Sequence, residues 1–367
     1  MALPDQVTLA PMRQDTTPGP LRYLQALTHR FDAGGEEVAC VLVYAEPDPD
    51  HDGILRPAIA ADTGFEGIAC LDDTARAATL ALHVYRETGD EAALDLARGW
   101  LSFVLYMQYP DGRFGNFIRN AAGVRNLSGA TSHPGGHPWT LRALIALATA
   151  YHLTGDDRYL ESYLATPHLE LTDYRELAMQ ALAEIELWRA DGEPALRDQI
   201  LDRARAIADT GGIPYFPAHR GHKSLYLWGY HQLQAVAIAA RLFDARDLIE
   251  PCVSTVRALV EPDVRARFWH SYPRKSKRNV CAYDVAPMVQ GLEALFDTTG
   301  KSAYRRLALE AAAWFYGRND ARTTMYDPTT GRCRDGITDG IASRNFGAES
   351  SIEAGFAEMT RRRLAPE

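Results

Sequence analysis

A repeated pattern of two apolar helical segments joined by a short turn constrains this chain more than any other feature. Three copies carry Thr-Gly in the turn: LHVYRETGDEAALDLARGWLSFV, IALATAYHLTGDDRYLESYLA and LEALFDTTGKSAYRRLALEAAAWFYG. Two looser copies are IELWRADGEPALRDQILDRARAI and AARLFDARDLIEPCVSTVRALV. Glycine or aspartate ends the first helix of each pair, and an acidic or serine residue opens the second. Because the turn is short, the two helices must form an antiparallel hairpin.

Five such hairpins and a further helix expected over 21–31 predict an all-α (α/α)6 toroid, formed as a single domain over 1–367. The segments TLRALIALATAYHL and HQLQAVAIAARLF are apolar around most of their circumference, which is typical of inner helices. Long segments rich in Gly, Pro, Asp and aromatic residues, at 109–137, 211–224, 262–279 and 318–347, are expected to share one rim. Residues 34–69 contain a Val-rich run and a turn, which predict an extended or β-hairpin arm.

Charge and hydropathy exclude several classes of partner. The chain has 39 Lys and Arg against 48 Asp and Glu, a net charge of −9, so nucleic acid is not expected as a partner. No apolar stretch approaches about 18 residues, and the N-terminus lacks a signal-peptide core, so a cytoplasmic protein with no membrane partner is predicted. Five scattered cysteines favour neither a disulfide framework nor a zinc site, and no metal or cofactor is predicted.

Two regions supply candidate catalytic carboxylates. The segment CLDDTARAATLAL places Asp72 and Asp73 at the start of an inner helix, with Arg76 one turn later. One aspartate is enough to cap the helix, which leaves the other available for chemistry. Near the C-terminus, a polar loop of about thirty residues is too long for a simple connection and is expected to be functional. This region contributes Asp335 and also Glu349, near the start of the final inner helix.

Side chains suited to binding a sugar accompany these acids. Aromatic rings, amides and arginines combine stacking with hydrogen bonding, as in the segment QYPDGRFGNF. The histidines of SHPGGHPW suit acid, base or hydroxyl-binding roles, since the flanking prolines and glycines prevent the helix that a zinc pair would need. Asp284 has an alternative role as a helix cap before Pro287, and Lys275 and Lys277 lie nearby in the chain. The predicted binding residues are Arg76, Phe114, Asn116, His133, His137, Tyr283, Asp284, Arg318, Asn319 and Asn345.

The blocks DDTARA, DGRFGNF and WFYGRND…YDPTTGRCRDG…NFGAESSIEA resemble a bacterial family of helical proteins often encoded beside, or fused to, glycosyltransferases. The family pattern reads approximately DDNARAL, G-x-F-x-NF and WFxGRND…D…TGxCxDG…N-x-GAES. This family looks like an (α/α)6 toroid of the kind shared by glycoside hydrolases and N-acylglucosamine 2-epimerases. The resemblance therefore implies carbohydrate handling and a glycosyltransferase partner. Where the family shows a GSEDSHGRALWALG-like stretch, this chain has SGATSHPGGHPWTLRALIAL, which keeps Ser132 and His133 but lacks the acidic pair.

Three functions follow as hypotheses. The leading one is a glycoside hydrolase acting on an oligosaccharide or polysaccharide, with Asp72 or Asp73 on one side of the bond and Asp335 or Glu349 on the other. The alternative is a sugar epimerase or isomerase that uses histidines as bases. The available histidines are His133, His137, His222, His231 and His270. The third is a noncatalytic glycan-binding partner of a glycosyltransferase, which predicts an open groove and no acid of perturbed pKa.

Overall fold

Helical hairpins dominate the computed structural model, which describes residues 17–47, 55–57, 66–274 and 278–365. The helices are α1 (Gly19–Ala26), α2 (Leu71–Thr88), α3 (Glu91–Tyr106), α4 (His137–Thr154), α5 (Asp157–Leu164), α6 (Tyr174–Asp191), α7 (Pro194–Ala208), α8 (Gln232–Leu242), α9 (Ile249–Thr255), α10 (Glu261–Arg265), α11 (Ala282–Thr299), α12 (Ser302–Ala312) and α13 (Ala348–Leu364). A π-helical turn, Val256–Val260, joins α9 to α10. The predicted hairpins are therefore present in the part of the chain described.

The turns of the hairpins confirm the role predicted for glycine. Gly89, Gly155, Gly192 and Gly300 end the first helices of four hairpins, with φ between 65° and 68°. This left-handed conformation is accessible to glycine because it lacks a Cβ atom. Aspartate side chains then cap α3 and α5 by accepting from a backbone N–H two residues later. The looser copy between α8 and α9 turns instead through Asp244, with φ of 49°.

Short strands form small antiparallel sheets beside the helices. The pairs are β1 (Thr28–Asp32) with β2 (Glu37–Val41), β3 (Ala45–Pro47) with β4 (Leu55–Pro57), β5 (Ala69–Cys70) with β6 (Phe117–Ile118), β7 (Leu225–Tyr226) with β8 (Ser271–Tyr272), and β10 (Tyr326–Asp327) with β11 (Arg332–Cys333). A three-stranded sheet has the order β13 (Ile341–Ala342), β12 (Gly336–Thr338), β9 (Asn279–Cys281).

The N-terminal region corrects one expectation and supports another. The helix predicted over 21–31 ends at Ala26, and β1 follows because burial alternates along THRFD with the period of a strand. The arm predicted over 34–69 is extended in its described part, where it contributes β2, β3, β4 and β5. The segment DPDHDG at 48–53, whose acidic spacing imitates the start of a calcium loop, lies outside the described residues.

The chain divides into two compact units. The first comprises residues 1–169, 329–331 and 347–352, and the second comprises 170–328, 332–346 and 353–367. In the first unit α2 packs against α3 and α4, and in the second α11 packs against α8 and α12. The predicted inner helices α4 and α8 are buried along most of their length, whereas α5 buries only Tyr159 and Ser162. The single domain over 1–367 stays a prediction.

Two further sequence expectations concern the membrane and the cysteines. Within the described ranges, every helix is too short or too polar to cross a membrane. The cytoplasmic location stays a prediction. All five cysteines are free thiols, and Cys281 differs from the other four because it is only half-buried.

Candidate functional site

The start of α2 holds two aspartates that do not cap the helix. The N-cap is Cys70, whose Sγ accepts the backbone N–H of Asp73 at 3.4 Å. Asp72 and Asp73 are the second and third residues of the helix, so the reading of either as the N-cap is wrong. Both carboxylates are therefore available for interactions with other side chains.

Arg76 draws three of the predicted acids together in the first unit. Its Nη2 lies 2.7 Å from Asp72 Oδ1, 2.7 Å from Asp73 Oδ1 and 3.0 Å from Glu349 Oε2. Arg142 forms a second ion pair with Asp72. We call these five residues the acidic cluster. The facing oxygens of Asp73 and Glu349 are at most 2.7 Å plus 3.0 Å apart, a limit that admits the about 5 Å carboxyl separation of retaining glycosidases.

Burial distinguishes Asp73 from the other acids of the cluster. Removal from water raises the pKa of Asp73 to about 7, the charges of Asp72 and Glu349 act in the same direction, and Arg76 opposes them. Its side chain is 6% exposed, whereas that of Glu349 is 32% exposed. A carboxyl of this kind carries a proton for part of the time near neutral pH, as a general acid must.

Asn116 and Phe114 support the start of α2. The Asn116 Oδ1 accepts the backbone N–H of Asp72 at 3.2 Å, and its Nδ2 donates to the Thr131 carbonyl at 2.8 Å. Phe114 is fully buried, and its carbonyl accepts from Trp139 Nε1 at 2.9 Å. These contacts hold the loop before α4 against the helix start. A role for either residue in binding substrate stays a prediction.

The two histidines of the same loop lie in the first unit. His133 is exposed, and its ring meets Trp139 edge-on with the centroids 5.2 Å apart. His137 is the first residue of α4 and is half-buried. Their substrate-binding roles stay predictions.

The start of α11, in the second unit, carries a histidine–aspartate pair. Cys281 is the N-cap and forms a capping box with Asp284, whose Oδ2 accepts the Cys281 N–H at 2.8 Å. The N-cap is therefore Cys281, and Asp284 takes part in the capping box as the third residue of the helix. The Nδ1 of His270 also lies 2.9 Å from Asp284 Oδ1 and 3.1 Å from Oδ2. Complete burial raises the pKa of Asp284, and the hydrogen bond with His270 opposes this shift.

The backbone on either side of His270 holds this residue against the start of α11. Strand β8 follows it directly and pairs with β7, and the His270 carbonyl accepts the N–H of Leu227 at 2.9 Å. The preceding Arg267 and Phe268 have φ of 61° and 68°, a conformation that costs about 1–3 kcal/mol for each non-glycine residue. The Phe268 carbonyl accepts from Arg278 Nε at 2.9 Å, which helps to hold this loop.

A second histidine and three aromatic rings are linked to this pair by direct contacts or by position in the chain. The Nε2 of His231 is 3.1 Å from the Tyr283 hydroxyl, and Tyr283 precedes Asp284 in the chain. Trp228 meets the Tyr283 ring edge-on at 4.9 Å, and the Tyr226 ring lies 5.5 Å from His270. Tyr226 is 49% exposed, which suits stacking on a sugar ring. We call the group His270, Asp284, His231, Tyr283, Tyr226 and Trp228 the dyad site.

The remaining predicted residues also belong to the second unit. Asp335 donates its N–H to the Asn345 carbonyl at 3.1 Å, just before β12, which pairs with β9 at the entrance to α11. Arg318 forms an ion pair with Glu310. Asn319 is 1% exposed, and its Nδ2 donates to the carbonyls of Trp314 at 2.7 Å and Thr323 at 2.8 Å.

The Asn319 side chain therefore stabilises the conformation of its own loop by hydrogen bonds to the backbone. Roles in catalysis or substrate binding stay predictions for Asp335, Asn345, Arg318 and Asn319. Lys275 and Lys277 lie outside the described residues.

Sequence reasoning did not single out Arg142, Cys281, Tyr226 or Trp228. The sequence does contain a pattern that could have pointed to Cys281 as a helix N-cap. The motif Cys-x-x-Asp occurs at the starts of both α2 and α11, as CLDD at 70–73 and CAYD at 281–284. No such local signal exists for Arg142, since its partner Asp72 lies 70 residues away in the chain.

Comparisons with known proteins bear on the fold. No protein-family model matches the chain, and no curated protein matches it. A solved sugar epimerase from a ruminal bacterium aligns with a TM-score of 0.63 and 12% sequence identity, over 80% of this chain and 88% of that chain. The chain has the (α/α)6 fold. The predicted fold class is therefore confirmed.

Two further solved structures share this fold with the chain. A D-mannose isomerase aligns with a TM-score of 0.63 and 8% identity, over 80% of this chain and 87% of that chain. An unsaturated glucuronyl hydrolase specific for heparin aligns with a TM-score of 0.57 and 12% identity, over 88% and 91%. The glycosyltransferase-associated family and a glycosyltransferase partner stay predictions.

Proposed function

We propose that this protein is a sugar epimerase or isomerase that acts on the open-chain form of a reducing sugar, with His270 as its general base. The observation that carries the proposal is the hydrogen-bonded pair of His270 and the buried Asp284, next to the exposed ring of Tyr226. A buried carboxylate that orients a partly exposed imidazole is a common arrangement for proton transfer near neutral pH.

The pair can exchange a proton beside a carbonyl group. Asp284 favours the tautomer of His270 with its proton on Nδ1, so that Nε2 accepts a proton from substrate. Removal of the C2 proton of an aldose breaks the C–H bond, and its electron pair forms the C1–C2 double bond of an enediolate. Return of a proton to the opposite face of C2 gives the epimer, and its delivery to C1 gives the ketose.

The neighbouring side chains support both halves of this reaction. His231 is a second proton carrier in the same unit, and it contacts Tyr283, the residue adjacent to Asp284. The rings of Tyr226 and Trp228 offer surfaces on which a sugar can stack. Solved proteins of this fold include a sugar epimerase and a D-mannose isomerase, which is consistent with the proposal.

A glycoside hydrolase built on the acidic cluster is the second candidate. Its support is the raised pKa of Asp73, together with the approach of Glu349 from the far end of the chain. However, Arg76 Nη2 lies within 3.0 Å of all three acids, so a substrate bond placed between these carboxyl groups would have to displace the guanidinium. We therefore place proton transfer at the dyad site first.

One experiment separates the two candidates. Wild-type protein is incubated in D2O with a panel of aldoses, ketoses and oligosaccharides, and the products are followed by proton NMR. The proposal predicts either the epimer with deuterium at C2 or the ketose with deuterium at C1. Both products should be lost in His270→Gln and retained in His222→Gln, which changes an exposed histidine outside the dyad site. Release of reducing ends that depends on Asp73 and Glu349 would instead favour the glycosidase. Sugar binding without either reaction would favour the noncatalytic glycan-binding protein.

A further inference from the structure

We propose that His270, Cys281 and Asp284 form a binding site for a zinc-like divalent cation. One donor atom from each residue, a ring nitrogen, a sulfur and a carboxylate oxygen, lies within 4.8 Å of the other two. Within the described part of the chain, no other three His, Cys, Asp or Glu side chains bring their potential ligand atoms this close together. The sequence predicted no metal here, because the cysteines lack the paired spacing of a zinc motif.

The distances need only a small adjustment to accommodate an ion. Zinc bonds of about 2.0 Å to nitrogen or oxygen and about 2.3 Å to sulfur place tetrahedral ligands roughly 3.3–3.6 Å apart. The ring nitrogen of His270 already lies 2.9 Å and 3.1 Å from the two oxygens of Asp284. An ion between these groups therefore requires ångström-scale side-chain movement rather than rearrangement of the backbone.

The chemistry of the three ligands favours zinc over calcium or magnesium. A thiolate and an imidazole bind borderline-soft cations, whereas calcium and magnesium prefer sites made of oxygen alone. The Cys281 N–H donates to Asp284 Oδ2 at 2.8 Å, so the carboxylate is oriented by a neighbour in the way that metal-binding carboxylates usually are. Three protein ligands leave one position for water, and binding releases the thiol proton to solvent.

The start of α2 provides an internal contrast. It contains the same cysteine N-cap and the same aspartate three residues later, in Cys70 and Asp73. There the guanidinium of Arg76, one helical turn on, supplies the positive charge that Asp73 meets. The residue at the corresponding position of α11 is Pro287, which carries no charge. We therefore expect a cation at Cys281 and none at Cys70.

A cation bound between His270 and Asp284 would take the place of the proton on Nδ1 of His270 and withdraw charge from the ring, so that Nε2 becomes a weaker base. The metal site itself is independent of the proposed function, but its effect on activity rests on that function. We expect zinc to inhibit C2 proton exchange, and a chelator to restore it.

The test uses Co2+ as a spectroscopic probe of the full-length protein. Tetrahedral Co2+ with a thiolate ligand absorbs in the visible and shows a sulfur-to-cobalt charge-transfer band in the near ultraviolet. We expect saturation at one Co2+ per chain, displacement by Zn2+, loss of the charge-transfer band in Cys281→Ser, and at least about tenfold weaker binding in His270→Gln. The matched control, Cys70→Ser, should keep the band. Serine is a favourable N-cap, so both cysteine variants retain the helix start.

Two results would overturn the site: no charge-transfer band in the wild type, or a band that persists in Cys281→Ser. Circular dichroism of each variant checks that the fold is retained, and the wild-type result does not depend on any variant. A Co2+ spectrum without C2 exchange would support the metal site and contradict the proposed function. C2 proton exchange without Co2+ binding would support the proposed function and contradict the metal site.

Discussion

The helices α2 and α11 begin in the same way and differ in the partner of one carboxylate. Each follows a short strand, begins after a cysteine N-cap and has an aspartate as its third residue, Asp73 or Asp284. Asp73 meets Arg76 of its own helix, whereas Asp284 meets His270 from a loop. Arginine stays charged at every accessible pH, but histidine changes charge near neutrality. The same local structure therefore places an arginine beside one buried aspartate and a histidine, whose charge responds to pH, beside the other.

The two regions also differ in how many charges they combine. Arg76 and Arg142 face three acids, and this network is almost buried except at Glu349. The dyad site has one carboxylate, and the side chain of His270 that meets it is 34% exposed. We infer that the acidic cluster serves mainly stability and the dyad site serves mainly chemistry, and the following predictions test this division.

The largest expected effect is that of His270→Gln on C2 proton exchange. Loss of a general base typically lowers a rate by about 10²- to 10⁴-fold. The rate is measured by deuterium incorporation in D2O, with His222→Gln as the control. A fall of less than about threefold would show that His270 is not the base.

The next effect is that of Arg76→Met on stability. Without the shared partner of three acids, Asp73 takes up a proton and loses its hydrogen bond from Arg76, and we expect a loss of about 1–3 kcal/mol in the free energy of unfolding. The matched control is Arg98→Met, which breaks an exposed pair with Asp95 and should cost less than about 1 kcal/mol. Urea denaturation measures both, and equal losses would contradict the stabilising role of the cluster.

A pH-dependent effect is expected from Asp263, which is 2% exposed. Burial raises its pKa to about 7, so between about pH 4 and 7 the folded protein holds a proton that the unfolded chain has released. This contribution lowers the free energy of unfolding as pH rises, by at most about 1.4 kcal/mol per pH unit. Asp263→Asn removes it, so wild type should lose stability relative to the variant over this range. Parallel pH profiles of the two proteins would contradict the shift.

The smallest effect is expected for Glu349→Gln. Because this side chain is 32% exposed, its ion pair with Arg76 should contribute less than about 1 kcal/mol to the free energy of unfolding. Thermal and urea denaturation beside Arg76→Met measure the difference between the edge and the centre of the cluster. A loss as large as that of Arg76→Met would show that the exposed edge is as important as the buried acids.

Sequence patterns predicted the helical framework and part of the candidate site. The left-handed glycines at Gly89, Gly155 and Gly300 follow from Thr-Gly turns between apolar periods. The sequence predicted that Asp335 or Glu349 would face Asp72 or Asp73, and the structure brings Glu349 to Arg76 beside both aspartates. The predicted N-terminal helix was too long. The apolar residues of β1 also fit the spacing of a helix, so their alternation between buried and exposed positions was not recognised.

The pairing of His270 with Asp284 was beyond the reach of sequence patterns. It depends on the path of a loop with two left-handed residues, Arg267 and Phe268, neither of which is glycine. It also depends on the pairing of β7 with β8, strands of two residues each, separated by more than forty residues of chain. Such short strands carry too few alternating positions to reveal their partners.

The sequence by itself determined the helical hairpins, the charge of the chain and the contact between Asp73 and Arg76, because each rests on residues within one helix or one turn. Only the tertiary structure decided that Glu349 completes the acidic cluster and that His270, rather than another histidine, meets Asp284. The physical reason is that helix spacing brings near neighbours together wherever the helix forms. Contacts between distant segments require the whole backbone to fold first. The loop before His270 has a backbone conformation that its residues do not prefer locally, so no local sequence pattern predicts where the His270 side chain lies.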